Sequence, residues 1–241
     1  MLVKKERHKH IRFFCVFLFP KIQLMPKSFK YWFADEVETT FGLKKLDTIT
    51  RLEDWLKAEP QLTEAMRETL LRLRLSLQRN ADAWNEEELK VFFISHILDM
   101  VSFEIEYENI KLKPFLERAL TFTFQKEIYK GEVDFMVASG RQLPKKPYFF
   151  VHEYKQETKK DADPLGQLLM GMLAAKFEND NDEPIYGAYI VGRSWFFVVI
   201  NEHNEYSVSD AYLATQDAIF QIIGILQQAK EYIVQAVKTA K

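Results

Sequence analysis

The pattern of hydrophobic positions divides the chain into a helical first part and a strand-rich second part. Leu52, Trp55 and Leu56 recur at helical spacing until Pro60 breaks the run. A second amphipathic helix is predicted from a stripe spaced by three and four residues: Leu62, Met66, Leu70, Leu73 and Leu77. Arginines flank this stripe. They favour a helix packed on the domain with a solvated outer face, and a DNA-facing or homodimer-forming helix stays open.

A third helix is predicted to begin at Asn85, whose side chain suits an N-cap. Three glutamates, Glu86, Glu87 and Glu88, then fall in the first turn, where the helix dipole favours negative charge. Capping alone explains these glutamates without any chemistry. A catalytic role for one of them is therefore left open by the residues themselves.

From Glu104 onward the pattern predicts mainly strands. The alternation of apolar and polar residues over 119–128 predicts a half-buried strand, followed by another over 132–138. A turn-rich segment then predicts a hairpin with 148–154. Asp163 and Pro164 suit the N-cap and first position of a helix that runs to about Glu178. The remaining predicted elements are strands over 185–191, 195–200 and 206–209 and a helix over 215–239.

This order of elements predicts an α/β fold with a central mixed sheet between helices. We expect a leader over 1–42 that is poorly ordered, a helical extension over 43–82 and one further domain over 83–241. Met25 is a candidate for the natural start, in which case residues 1–24 are not native.

Composition narrows the class of protein. The 241 residues are 47% hydrophobic and 14% aromatic, which favours a folded core over disorder. A single cysteine, Cys15, excludes an intramolecular disulfide and a cysteine-based zinc site.

The apolar run over 13–19 is too short for a membrane span and lacks a cleavage site after it, so we expect a cytoplasmic protein that does not associate with membranes. The net charge of −2 weighs against a non-specific nucleic-acid binder, but basic residues are concentrated between Arg141 and Lys160.

Charged residues interrupt two of the predicted strands. Asp134 lies within an apolar run, and Glu153 and Lys155 close the strand over 148–154. Residues two apart in a strand share a face and lie about 6–7 Å apart. Carboxylates and an amine at such positions are costly unless they are paired or bind a metal. His152 should point to the opposite face, as a core residue.

Asp134 and Glu153 are therefore candidate ligands for Mg²⁺, and the carbonyl of Tyr154 would add a further oxygen. Lys155 could orient an attacking water or neutralise charge on a phosphate. The alternative is a structural Glu153–Lys155 pair in an unrelated α/β domain.

The Gly-x-Val-Asp motif that ends at Asp134, with His-Glu-Tyr-Lys ending at Lys155 and then Pro-Leu-Gly-Gln ending at Gln167, resembles the PD-(D/E)xK nuclease superfamily. The segment from Asn85 is similar to the first helix of the N-terminal nuclease domains of type I restriction subunits. The chain from Gly42 onward also resembles an uncharacterised family of Bacteroidetes-type bacterial proteins. Val133 stands where the superfamily name implies proline.

The resemblance implies a restriction-endonuclease-like α/β/α sandwich and a Mg²⁺-dependent (endo)deoxyribonuclease, with Mn²⁺ as a substitute. It implies the catalytic residues Glu86, Asp134, Glu153, Lys155 and Gln167, and the metal ligands Glu86, Asp134, Glu153 and Tyr154. DNA is the expected partner, alongside other proteins of a defence system or mobile element. A catalytically inactive nucleic-acid-binding or scaffolding module of the same fold is the alternative. The chain shows no companion motif that would select a target.

Overall fold

A computed structural model describes residues 27–157, 163–179 and 182–239. A 3₁₀ turn spans Phe29–Tyr31 and a π-helical turn spans Lys90–Ile94. The helices are α1 (Ala34–Phe41), α2 (Thr50–Leu56), α3 (Glu64–Asn80), α4 (Glu86–Leu89), α5 (Ser95–Val101), α6 (Pro164–Asn179) and α7 (Ala218–Thr239). The strands are β1 (Lys44–Lys45), β2 (Ile105–Tyr107), β3 (Ile110–Phe124), β4 (Glu127–Ser139), β5 (Lys145–Lys155), β6 (Ile185–Val191), β7 (Ser194–Ile200), β8 (Glu205–Val208) and β9 (Tyr212–Leu213).

Within the described residues the strands form one mixed sheet of nine. Its order is β1-β8-β7-β6-β5-β4-β3-β2, with β9 paired to β7. β5 and β6 run parallel, as do β1 and β8, and the other neighbours are antiparallel. The parallel pair needs a crossover connection, which α6 supplies. The predicted α/β class with a central mixed sheet is therefore confirmed.

Helices cover the sheet on both faces, so apolar side chains from alternating strand positions enter two separate cores. One core joins α6, α1 and the 3₁₀ turn to residues such as Met136 and Ala138. The other joins α2, α3, α5 and α7 to residues such as Phe135 and Tyr154. Because a strand sends successive side chains to opposite faces, β5 is lined by α6 on one side and by the second core on the other.

Most predicted elements are present, but the predicted strand over 119–128 is not continuous. Residues 119–124 are the end of β3 and have the predicted alternation of buried and exposed positions. The chain then reverses at Gln125 and Lys126, with φ of 48° and 71°, and residues 127–128 already belong to β4. Positive φ at both central residues gives the backbone twist that a two-residue hairpin needs. Asparagine and glycine usually provide it, and their absence here concealed the turn.

The predicted poorly ordered leader is also wrong over 29–41, whereas residues 1–26 lie outside the described residues. Phe29, Trp32 and Phe41 are buried in the core that α6 covers. The ring of Phe29 lies where a Cβ at position 131 would come within 2.0 Å of it, so Gly131 makes room for this segment. Helices α2 and α3 also pack on the sheet, because their buried residues belong to the same core as those of α7. None of the described helices is long and apolar enough to cross a membrane.

Candidate active site

The regular alternation of β4 breaks at Asp134. Val133 and Met136 are three residues apart, yet both enter the core beneath α6. On β3 the residue facing this break is Glu117, whose φ of 49° is left-handed, and the paired positions Leu116↔Phe135 and Arg118↔Val133 flank it. Because of this irregularity, the side chain of Asp134 lies outside the regular alternation of β4, and its carboxylate enters neither core.

The side chain of Asp134 accepts a hydrogen bond in place of one between the backbones of β4 and β5. The recorded pairing of β4 with β5 ends at Phe135↔His152, so the next amides of β5 lack a partner from β4. The backbone N–H of Tyr154 instead donates to Asp134 Oδ2 at 2.7 Å. A buried N–H left unpaired is costly, so this bond fixes the Asp134 carboxylate beside the end of β5.

Glu153 and Lys155 lie at the end of β5 on the face that α6 covers. Glu153 is 1% exposed and Lys155 is 8% exposed. The Lys155 ammonium forms an ion pair with Glu153 and donates to the Tyr154 carbonyl at 3.0 Å. The prediction that Glu153 and Lys155 share a face of the strand is confirmed. The paired carboxylate and ammonium lie in a position that is poorly solvated.

Glu86 joins this group from the helical layer. Asn85 caps α4: its side chain accepts from the N–H of Glu88, and the Glu88 carboxylate accepts from the N–H of Asn85. With Glu88 used in the cap and Glu87 largely exposed, Glu86 faces β5, and its carboxylate lies 3.8 Å from the ammonium of Lys155. Of the three glutamates in this turn, Glu86 is the one whose carboxylate contacts Lys155.

Lys90 is the member of the site that sequence reasoning missed. Its ammonium lies 3.1 Å from Asp134 and 3.3 Å from Glu86. It also lies 3.3 Å from both Glu87 and Glu117. The Glu-x-x-x-Lys spacing from Glu86 was a signal, because residues four apart on a helix are neighbours. We call Glu86, Lys90, Asp134, Glu153 and Lys155 the carboxylate–lysine cluster.

The charges of the cluster shift one another's titration. Burial raises the pKa of Glu153 well above its ordinary value, and Asp134 raises it further by its charge and by a hydrogen bond, against the opposing charge of Lys155. Burial alone would lower the pKa of Lys155 and of Lys90. Their carboxylate neighbours outweigh it, Glu153 foremost for the first and Asp134 for the second, and both pKa values are raised. Both lysines therefore stay charged at neutral pH.

The opposite face of β5 is apolar. His152 is fully buried, its Nδ1 lies 3.1 Å from the Tyr154 hydroxyl, and its ring packs 4.9 Å from that of Phe135. Burial lowers the pKa of His152 to about 3. A neutral core histidine, as predicted, is confirmed, and the side chain of Tyr154 packs in the same core while its carbonyl faces Lys155.

Gln167 lies on α6, which packs along β5. It is 8% exposed, and its buried carboxamide oxygen has no hydrogen-bond partner in the described residues. The hydrogen bonds of the described residues do not join it to the carboxylate–lysine cluster. Asp163, the predicted N-cap of α6, accepts from the N–H of Leu165 at 3.0 Å and from that of Ala34 at 2.7 Å.

The oxygens of the cluster have the chemistry that Mg²⁺ prefers, namely carboxylates and a backbone carbonyl. In the described parts of the chain, however, no group of three or more His, Cys, Asp or Glu side chains is arranged to hold a metal ion. The ammonium of Lys90 instead contacts Glu86 and Asp134, and that of Lys155 contacts Glu86 and Glu153. The donor set fits Mg²⁺ only if one of these ammonium groups moves away.

The comparisons with known proteins do not assign the chain to a family. No family model matches it, and a search of the curated proteins found no significant match.

Proposed function

We propose that the protein is a Mg²⁺-dependent phosphodiesterase that cleaves DNA, with a restriction-endonuclease-like α/β/α sandwich and Mn²⁺ as a substitute metal. The observation that carries this proposal is the convergence of Glu86, Asp134, Glu153 and Lys155, which come from three separate segments. These four residues are among the catalytic residues that the superfamily resemblance implied.

Glu86, Asp134, Glu153 and the carbonyl of Tyr154 are the proposed metal ligands. When bound there, Mg²⁺ would lower the pKa of a coordinated water and offset charge on a phosphate. Burial makes the carboxylate of Glu153 costly to ionise alone, so a divalent cation would stabilise its charged form. Asp134 is held in place by the Tyr154 N–H before any ligand arrives, which reduces the cost of ordering it.

Lys155 is the proposed catalytic cation. Its neighbours keep it charged, and the ion pair with Glu153 together with the Tyr154 carbonyl fixes its ammonium at the end of β5. A fixed ammonium in a poorly solvated site stabilises negative charge that grows on a phosphate more strongly than one in water does. Gln167 has a buried carboxamide oxygen without a hydrogen-bond partner among the described residues, and we retain it as a candidate.

A basic groove beside the cluster supports a nucleic-acid substrate. Lys113, Arg118 and Arg141 line it, without a carboxylate among its lining residues, and its volume is about 410 Å³. Lys113 donates to the carbonyl of Arg141 at 2.6 Å, and Arg118 donates to the carbonyls of Leu116 and Glu117. Backbone carbonyls thus orient these cations without cancelling their charge. Arg118 directly follows Glu117, which contacts Lys90 of the cluster.

A catalytically inactive nucleic-acid-binding module is the second candidate. The observation that favours it is Lys90, whose ammonium already neutralises the proposed ligands Glu86 and Asp134. A module that never binds metal would gain stability from such a contact. Under this alternative the groove still binds nucleic acid, whereas the carboxylates serve only to hold the α4 segment against β4 and β5.

Cleavage with Mg²⁺ or Mn²⁺ separates the two candidates. Plasmid and single-stranded DNA are incubated with the full-length protein and with the Glu153→Gln variant, which keeps the shape of the side chain but loses its charge. We expect metal-dependent cleavage by the parent and a loss of at least 100-fold in the variant. Equal, metal-independent cleavage by both would indicate a contaminating nuclease. Binding of DNA without cleavage under all conditions would favour the inactive module.

A further inference from the structure

Four carboxylates surround the ammonium of Lys90, and they fall into two pairs. The inner pair, Asp134 at 3.1 Å and Glu86 at 3.3 Å, has side chains that are 13% and 26% exposed. The outer pair, Glu87 and Glu117, both at 3.3 Å, has side chains that are 70% and 52% exposed. Both members of the inner pair are among the proposed metal ligands, and the outer pair lies on the solvent side.

Sharing the inner carboxylates between Lys90 and a divalent cation is electrostatically unfavourable. An oxygen bound to Mg²⁺ lies about 2.1 Å from the metal. An ammonium that stays 3.1 Å from Asp134 would then lie within a few ångströms of a doubly charged ion. Like charges at such a separation repel strongly in a poorly solvated site. Metal binding therefore favours movement of Lys90 away from the inner pair.

The structure provides a place for the ammonium to go. A lysine has a flexible four-carbon stem and a compact charge, so it can exchange partners without moving the backbone. Glu87 and Glu117 already contact its ammonium from the outer side. Lys90 also begins the π-helical turn over Lys90–Ile94, a kind of irregularity that is frequent at functional sites.

We propose that Lys90 is a built-in counter-ion of the metal site, which a divalent cation displaces from Glu86 and Asp134 toward Glu87 and Glu117. This inference rests on the proposed function, because it takes Glu86 and Asp134 as metal ligands. Without metal, Lys90 keeps the carboxylates from repelling one another. In the presence of metal, it sets the concentration at which the site fills.

The test is calorimetric titration of Mg²⁺ and Mn²⁺ into the metal-free, full-length protein. Lys90→Met should bind Mg²⁺ at least tenfold more tightly than the parent and have a lower melting temperature without metal. Lys90→Arg keeps the charge and should not gain affinity. Lys57→Met is the matched control, because it removes a lysine that pairs at 2.9 Å with Asp54 on the exposed surface.

The outer pair gives a second test that does not depend on the folding of the Lys90 variants. The double variant Glu87→Gln with Glu117→Gln should bind Mg²⁺ several-fold more weakly, since the displaced ammonium loses its outer partners. The same double change in the Lys90→Met background should have no such effect. A coupling of this kind separates a displaced lysine from a general loss of negative charge.

The outcomes distinguish this inference from the proposed function. Unchanged or weaker Mg²⁺ binding by a folded Lys90→Met protein would overturn the inference and leave the nuclease proposal intact. Tighter binding by that variant, in a protein that cleaves no DNA, would support the inference and refute the nuclease. Failure of every variant and of the parent to bind Mg²⁺ or Mn²⁺ would overturn both.

Discussion

The buried His152 makes a quantitative prediction about stability against pH. Burial lowers its pKa from 6.5 to about 3. The unfolded chain therefore binds a proton below pH 6.5 that the folded chain does not bind until about pH 3. The neutral, buried His152 therefore makes its full contribution to the free energy of unfolding above pH 6.5, and this contribution is lost as the pH falls from 6.5 toward 3. The loss approaches about 1.4 kcal/mol per pH unit, and it reaches roughly 0.9 kcal/mol at pH 6 and 2 kcal/mol at pH 5.

The change His152→Phe removes the titrating group but keeps a ring against Phe135. It also deprives the Tyr154 hydroxyl of its partner at 3.1 Å, which costs about 1–3 kcal/mol at every pH in this range. The prediction therefore concerns the difference between parent and variant, which should shrink by about 2 kcal/mol between pH 7.5 and pH 5.

Urea unfolding followed by tryptophan fluorescence, at half-unit steps of pH, measures this difference. His203→Ala serves as the control for the loss of a histidine outside the core, because the His203 side chain is 73% exposed. Parallel profiles for His152→Phe and the parent would refute the reasoning. They would mean that His152 accepts a proton in the folded state and does not lie in an apolar core.

Three further predictions concern the site. Asp134→Asn should abolish Mg²⁺ binding by calorimetry while the free energy of unfolding changes by only about 1 kcal/mol, since the amide oxygen can still accept from the Tyr154 N–H. A large destabilisation with unchanged Mg²⁺ affinity would make Asp134 structural. Lys155→Ala should lower the cleavage rate by about 10²–10³ while DNA affinity measured in Ca²⁺ falls far less; equal, small losses in both would exclude a catalytic role. Lys113→Ala combined with Arg118→Ala should reduce the slope of log affinity for duplex DNA against log salt by about two, and an unchanged slope would exclude the groove.

The sequence was sufficient to predict the parts of the site that depend on local periodicity. Glu153 and Lys155 share a face because a strand has a period of two, and His152 takes the other face for the same reason. The cap at Asn85 follows from a local hydrogen-bonding preference. These features require no knowledge of which elements pack together, so the sequence alone determines them.

The missed features depend on contacts between distant segments. From its local sequence, Lys90 is expected to pair with Glu86 at the surface of the helix. Its contact with Asp134 depends on how α4 packs against β4, which the local sequence does not give. Phe29 and Trp32 belong to a short segment whose apolar residues have no clear period, and their burial depends on α6, more than 130 residues further along the chain. The irregularity of β4 at Asp134 likewise depends on the conformation of Glu117 on the neighbouring strand.

Stability alone does not explain the carboxylate–lysine cluster. Glu153 is 1% exposed, and both its burial and its neighbour Asp134 disfavour its charge. Replacing a buried ion pair by well-packed apolar side chains of similar volume is often neutral or stabilising. A module that used Glu153 and Lys155 only for packing would therefore lose little by substituting them.

The two cations strengthen this argument. Lys90 and Lys155 neutralise a group of oxygens whose chemistry suits a hard divalent cation, and Lys90 has outer carboxylates that could receive it. A site that exchanges its lysine for a metal would use that second set of partners. The affinity of the Lys90→Met protein for Mg²⁺ is accordingly the measurement that most directly separates a metal-dependent enzyme from an inactive module of the same architecture.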